Sequence, residues 1–201
     1  MRHTGTPELE TDRLLLRRLL PQDAPQMYEN WANDPTVTRF LRWEPHKSLP
    51  RPGNCFRRGQ SCIRTPIITS GPWWKRPPDR CLAPSPYTTP CWVSRSKRPS
   101  AGAGTLRRHL GAGLLHRAEV WGKGLTTEAL QAVVDFWFRQ VGGTFLTCCH
   151  AVHNPASGRV MEKAGFVYHH NDVYHKFDGT PMECRCYLLT KKHYDNRKDL
   201  L

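Results

Sequence analysis

Between residues 121 and 190 the apolar positions fall into an order that the middle of the chain lacks. Leu130, Val133, Val134, Trp137 and Val141 recur near the i, i+3, i+4, i+7 spacing of a helix with one buried face. Gly142-Gly143 ends that helix, and residues 145–152 predict a buried strand. His153-Asn154-Pro155 then turns into a second helix, with Pro155 suited to the first helical position and Ser157, Val160, Met161 and Ala164 on one face. Gly165 stops it, Phe166-Val167-Tyr168 opens a strand, Asp178-Gly179 makes a turn, and residues 182–189 form the last strand. Near the N-terminus, residues 9–20 read as a strand entering a turn. Asp23 caps a helix through Ala24, Met27, Tyr28 and Trp31, Asn33-Asp34-Pro35 breaks it, and residues 37–43 make a short amphipathic piece. The order is that of an α/β (α+β) domain in which two helix N-termini can lie at neighbouring strand ends.

Residues 48–120 break this pattern. Ten of the 17 prolines fall there, too densely for strands or helices longer than a turn or two, and no period is found. The net charge of +13 is concentrated in the same stretch, which holds 13 Lys and Arg against 2 Asp and Glu. One reading is a basic segment that contacts RNA, with Trp73, Trp74, Tyr87 and Trp92 available for stacking.

The chemistry suggested outside that stretch is anion binding. Gly122 and Gly124 flank Lys123 immediately before the first helix. A glycine-rich turn opening into a helix leaves the first backbone N–H groups unpaired beside the positive end of the helix dipole, which suits a phosphate; a plain tight turn uses the same residues. A chain of 201 residues fits a single domain spanning 1–201. It has no apolar run of membrane-spanning length and no signal-peptide pattern, so a cytoplasmic protein without a membrane partner is expected. The eight cysteines include no Cys-x-x-Cys pair; Cys148-Cys149 and Cys184-x-Cys186 read as small buried strand residues, and no metal site is expected.

Three segments carry a family likeness: Leu-Glu-Thr-Asp-Arg-Leu-Leu-Leu-Arg at 9–17, Trp-Gly-Lys-Gly-Leu-Thr-Thr-Glu-Ala-Leu at 121–130, and Asn-Pro-Ala-Ser-Gly-Arg-Val-Met-Glu-Lys-Ala-Gly-Phe at 154–166. Together they resemble the GNAT acetyltransferases, in particular the branch that acetylates N-termini of ribosomal proteins. The resemblance implies the GNAT acyl-CoA N-acyltransferase fold, a central mixed twisted sheet flanked by helices, with acetyl-CoA as cosubstrate and no metal. It implies that backbone amides of Gly122, Lys123, Gly124, Leu125 and Thr126 hold the pyrophosphate. Asn154 would meet the pantetheine arm or acetyl carbonyl where two central strands splay apart, or cap its helix, or both. Ser157 would donate near the leaving thiolate as a catalytic group, or only pack. Met161 stands where many relatives have a tyrosine acid. The acceptor would be an amine, on a protein N-terminus or a small molecule; a nucleic-acid partner is set aside, and homodimerisation stays open.

Relatives commonly carry a carboxylate base on the strand just before the glycine turn. Here that strand is not legible, and His116 and Glu119, the nearest candidates, sit in no strand-like context. The codons of residues 48–120, read out of register, supply what is missing. From Pro66 a shifted frame permits Asp-Tyr-Tyr-Lys-Trp-Ala-Val-Val-Glu, ending on the codons of Trp73, Trp74 and Lys75. From Arg80 it permits a second strand, closing on a forced Leu-Gly through Cys91-Trp92-Val93. From Gly111 the other frame permits Glu-Leu-Gly-Tyr-Tyr-Ile-Gly-Arg-Lys-Phe. Residues 48–120 are therefore expected to be an out-of-frame translation, irregular in structure, replacing the expected central strands. The Arg and Pro excess would then be a by-product of coding, and the literal chain would be poorly stable and inactive.

Overall fold

The long helix of the C-terminal half carries a broad buried stripe. The computed structural model describes residues 7–17, 24–48, 73–75, 91–94, 111–114 and 121–196. Within it α3 (Leu125–Phe136) winds on as a π turn over Trp137–Val141 and is closed by Gly142 at φ 71°. Ala129, Leu130, Val133, Val134, Phe136, Trp137, Phe138 and Val141 are all buried. At about 1.5–3 kcal/mol for each large apolar side chain removed from water, this face is the main stabilising surface of the domain. The Trp137 indole lies where any Gly143 side chain would be, 2.0 Å from an ideal Cβ, and donates to the Phe145 carbonyl at 2.9 Å. Only glycine fits at 143.

α3 packs on a five-stranded sheet of order β4-β5-β6-β8-β7, comprising Cys91–Ser94, Gly111–Leu114, Phe145–Ala151, Pro181–Thr190 and Val167–His175. β5 and β6 run parallel and the other neighbours antiparallel, so the sheet is mixed as expected. A smaller antiparallel sheet joins β1 (Leu9–Glu10), β2 (Leu14–Leu16) and β3 (Trp73–Lys75). α4 (Pro155–Lys163) packs beside α3, with Met161 and Ala164 buried and Gly165 at φ 89° ending it. α5 (Lys191–Asn196) seals the far end: Tyr194 is 1% exposed, donates to Asp135 Oδ1 at 2.6 Å, accepts from Arg139 Nε at 2.9 Å, and stacks on Phe138.

Several expectations change in detail. Residues 9–20 do not make one strand: Thr11-Asp12-Arg13 turns the chain back, and β1 and β2 pair as a hairpin. The first helix is α1 (Ala24–Met27) continued by a π turn over Tyr28–Ala32; Asp23, expected as its cap, and residues 18–20 lie outside the described residues. After the break, α2 (Pro35–Thr38) starts on Asp34, whose carboxylate accepts from Thr36 N at 2.8 Å. Within 48–120 three short strands do form, β3, β4 and β5, at three of the central positions read as missing; the rest of that stretch lies outside the described residues. Cys148 and Cys184 are buried as expected, but Cys149 is exposed and Cys186 only half-buried. Cys148 and Cys149 alternate along β6, so Cys149 faces away from the helices, the face it shares with Cys184 and Cys186 of β8. Among the described residues no helix is long and apolar enough to cross a membrane.

Candidate functional site

β5 and β6 are paired at a single register position, Gly111 with Thr147. From the carboxyl ends of these two parallel strands the chain goes on to α3 and α4 respectively, the arrangement in which open α/β sheets bind ligands.

The start of α3 is bare. Gly122 and Gly124 have φ of 79° and 78°, in the left-handed region that side chains disfavour. An ideal Cβ at Gly122 would meet nothing within 4 Å, and one at Gly124 would meet only Arg13 Nη2 at 3.5 Å. The glycines are required by backbone conformation and not by crowding. Gly124 is the N-cap and offers no side-chain oxygen to the first turn, so the amides there are left to solvent or an anion. Residues 121–124 are exposed and Leu125 and Thr126 half-buried.

Glu128 lies in this first turn, where an unpaired carboxylate would oppose an incoming anion. It is instead held by the β1–β2 turn. Its Oε1 accepts from Thr11 Oγ1 at 2.5 Å and Arg13 N at 3.0 Å, and its Oε2 accepts from Arg13 Nε at 2.6 Å with Nη2 also at 2.6 Å. Arg13 Nη1 donates onward to the Lys123 carbonyl at 3.0 Å. One guanidinium thus covers the glutamate and fixes the glycine loop. Partial burial would raise the Glu128 pKa, but the hydrogen bonds from Thr11 and Arg13 outweigh it and hold the carboxyl below its ordinary value.

The start of α4 is built the other way. Asn154 is its N-cap, and its Oδ1 accepts from Ser157 N at 3.3 Å, with the Asn154 carbonyl also accepting from that amide at 3.1 Å. The carboxamide oxygen serves the helix, and the carboxamide N–H groups are the part of Asn154 available for a ligand. Ser157 is half-buried in the first turn, and Met161 is 5% exposed in the core. β5 is built from Gly111, Ala112, Gly113 and Leu114, so it supplies no ionisable group to accept a proton. His116 and Glu119 lie outside the described residues.

The structure therefore places residues 122–126 and residues 154 and 157 at the starts of the two helices that follow the parallel pair. Thr11, Arg13 and Glu128 were missed as parts of the site. They stand within two of the segments that carry the family likeness, but no local spacing signals a bond spanning 115 residues.

Comparison with known proteins points the same way. Residues 87–167 match the family model of the acetyltransferase (GNAT) domain. A Bacillus subtilis protein described as the uncharacterized N-acetyltransferase YoaA is 26% identical over 196 residues, covering 92% of this chain and 97% of its own. Among solved structures, a GNAT-family acetyltransferase from Bacillus anthracis superposes with a TM-score of 0.69 at 15% identity, covering 92% of this chain and 99% of that one. Spermidine N-acetyltransferase from Vibrio cholerae, solved in complex with CoA and spermine, gives 0.64 at 16% identity with the same coverage. The family-model match covers residues 87–167, and the two solved structures, at 15% and 16% identity, share the fold.

Proposed function

We propose that the domain transfers acetyl from acetyl-CoA to a primary amine by direct attack. The observation that carries this is the uncapped, glycine-flanked start of α3, held open by Arg13 on Glu128 and Lys123. Residues 122–126 take the pyrophosphate through backbone amides, and Asn154 turns its carboxamide N–H groups to the pantetheine arm or the acetyl carbonyl. The amine nitrogen bonds to the thioester carbonyl carbon, the carbon–sulfur bond breaks, the amine proton passes to solvent water, and the departing CoA thiolate takes up a proton from solvent to leave as the thiol. Ser157 donates to the departing sulfur. The rate gain in such a site is mostly positioning. A small-molecule amine is the favoured acceptor, since a fold neighbour was solved with spermine; a protein N-terminus, as in the ribosomal-protein branch, is the other.

We further propose that residues 48–120 are translated out of frame. This is supported by β3, β4 and β5 falling at Trp73–Lys75, Cys91–Ser94 and Gly111–Leu114, within or at the end of the segments where shifted frames supply strands. In the literal chain β5 has no carboxylate, whereas the shifted reading brings a glutamate to its start. The literal chain is accordingly of low activity, and the frame-restored chain is the competent enzyme. Resequencing the gene tests this directly; a single clean frame through the stretch refutes it. Thermal denaturation of the restored protein with CoA tests the cofactor assignment. A ligand at a hundred times its dissociation constant stabilises by about 2.7 kcal/mol, and no shift in melting temperature would reject the reading.

A further inference from the structure

The face of the sheet turned away from α4 carries a cluster that acetyl transfer does not use. Cys148, His150 and Tyr187 point to the helix side: the His150 ring fills the space over Gly158, and Tyr187 donates to Glu162 of α4 at 3.1 Å. Their neighbours point the other way. Cys149 of β6 pairs directly with Cys186 of β8, which pairs with His170 of β7, so two thiols and an imidazole lie in one row across three strands. In the next row Cys184 is opposite Asp172.

An irregularity in β7 creates this row. Tyr168 is opposite Tyr187 and His170, not His169, is opposite Cys186, so one residue is extra. In regular pairing His169, Asn171 and Val173 would share the face of the cysteines. The bulge substitutes His170, Asp172 and Tyr174. His169 Nδ1 lies 2.7 Å from His170 Nδ1.

The ligand atoms of His170, Asp172 and Cys186 lie within 4.8 Å of one another. Cys149 is the cross-strand neighbour of Cys186, Cys186 Sγ lies 4.0 Å from Cys184 Sγ, and Cys184 Sγ donates to the Asp172 carbonyl at 3.3 Å. Zinc bonds of about 2.0–2.3 Å in a tetrahedron put ligand atoms roughly 3.3–3.8 Å apart, about an ångström closer than the His170, Asp172 and Cys186 atoms lie, a change that side-chain rotation supplies. Two sulfurs, one imidazole nitrogen and one carboxylate oxygen form a donor set suited to a borderline-soft divalent ion.

We propose that Cys149, Cys186, His170 and Asp172 bind a zinc-class divalent cation on this face, tying β6, β8 and β7 together independently of acyl transfer. Uptake forms two metal–sulfur bonds and releases the two thiol protons to solvent. The test is titration of the reduced full chain with cobalt(II), read as thiolate-to-metal charge-transfer and tetrahedral ligand-field absorption. One equivalent should develop both bands, zinc should erase them, and Cys149→Ser with Cys186→Ser should abolish them. Replacing Cys55, Cys62 and Cys81 by Ser should leave them unchanged, and His170→Gln should shift the ligand-field band while keeping the charge-transfer band. Bands that survive the Cys149→Ser, Cys186→Ser pair, or cobalt bound without a thiolate band, would overturn the site. None of these readouts depends on CoA.

Discussion

The two helices that follow the parallel strands begin in opposite ways. α4 satisfies itself: Asn154 turns its own oxygen to the first turn, and Pro155 removes a donor that would otherwise need a partner. α3 begins on Gly124, without a cap, and its order comes from Thr11 and Arg13 more than a hundred residues away. A start that caps itself is stable without ligand. A start stabilised from outside, at its carboxylate and its loop carbonyl, keeps its amides for something else.

Removing the outside support should have the largest effect on this contrast. Glu128→Ala strips partners from Thr11 and Arg13 together and should cost about 2–3 kcal/mol in urea denaturation, since hydrogen bonds to charged groups contribute about 1.5–3 kcal/mol. CoA-induced stabilisation should fall with it; an unchanged CoA response would mean the clamp does not serve the loop. Next, Gly124→Ala forces a side chain into the left-handed region and should cost about 1–2 kcal/mol, again with weaker CoA binding by calorimetry. Asn154→Ala should cost about 1 kcal/mol as a lost cap, while Asn154→Ser, which retains a capping oxygen, should recover stability without recovering kcat. Equal recovery of both would reduce Asn154 to a cap.

The smallest expected effect is on pH dependence. Glu128 is held below its ordinary pKa in the fold, so it contributes stability above the ordinary glutamate value that is lost as pH falls through its folded pKa. Glu128→Gln should flatten that acid limb of the stability profile and leave the neutral-pH shape unchanged. An acid limb identical to that of the parent would show that the contacts from Thr11 and Arg13 do not persist in solution.

What could be read from sequence followed how local each determinant is. Gly122, Gly124, Gly142, Asn154-Pro155 and Gly165 mark their helix ends within a few residues, and the α3 stripe at Leu130, Val133, Val134, Trp137 and Val141 is buried as its spacing predicts. The hairpin at residues 11–13 was hidden because its turn contains neither Gly nor Pro and its first strand is only two residues long. The clamp on Glu128 and the row Cys149–Cys186–His170 were hidden because both are made across elements. Metal-ligand spacing rules look for Cys-x-x-Cys within a loop, and a cross-strand set has no fixed spacing in sequence.

The bulge in β7 has a consequence beyond the cluster it assembles. β7 is the edge of the five-stranded sheet, nine residues long and mostly exposed, with Val167, Tyr168 and Val173 open to solvent. A flat edge of that length and composition would offer its free backbone groups to a second chain. The extra residue between Tyr168 and His170 kinks the strand and interrupts its hydrogen-bonding rhythm, which guards the molecule against sheet-to-sheet aggregation.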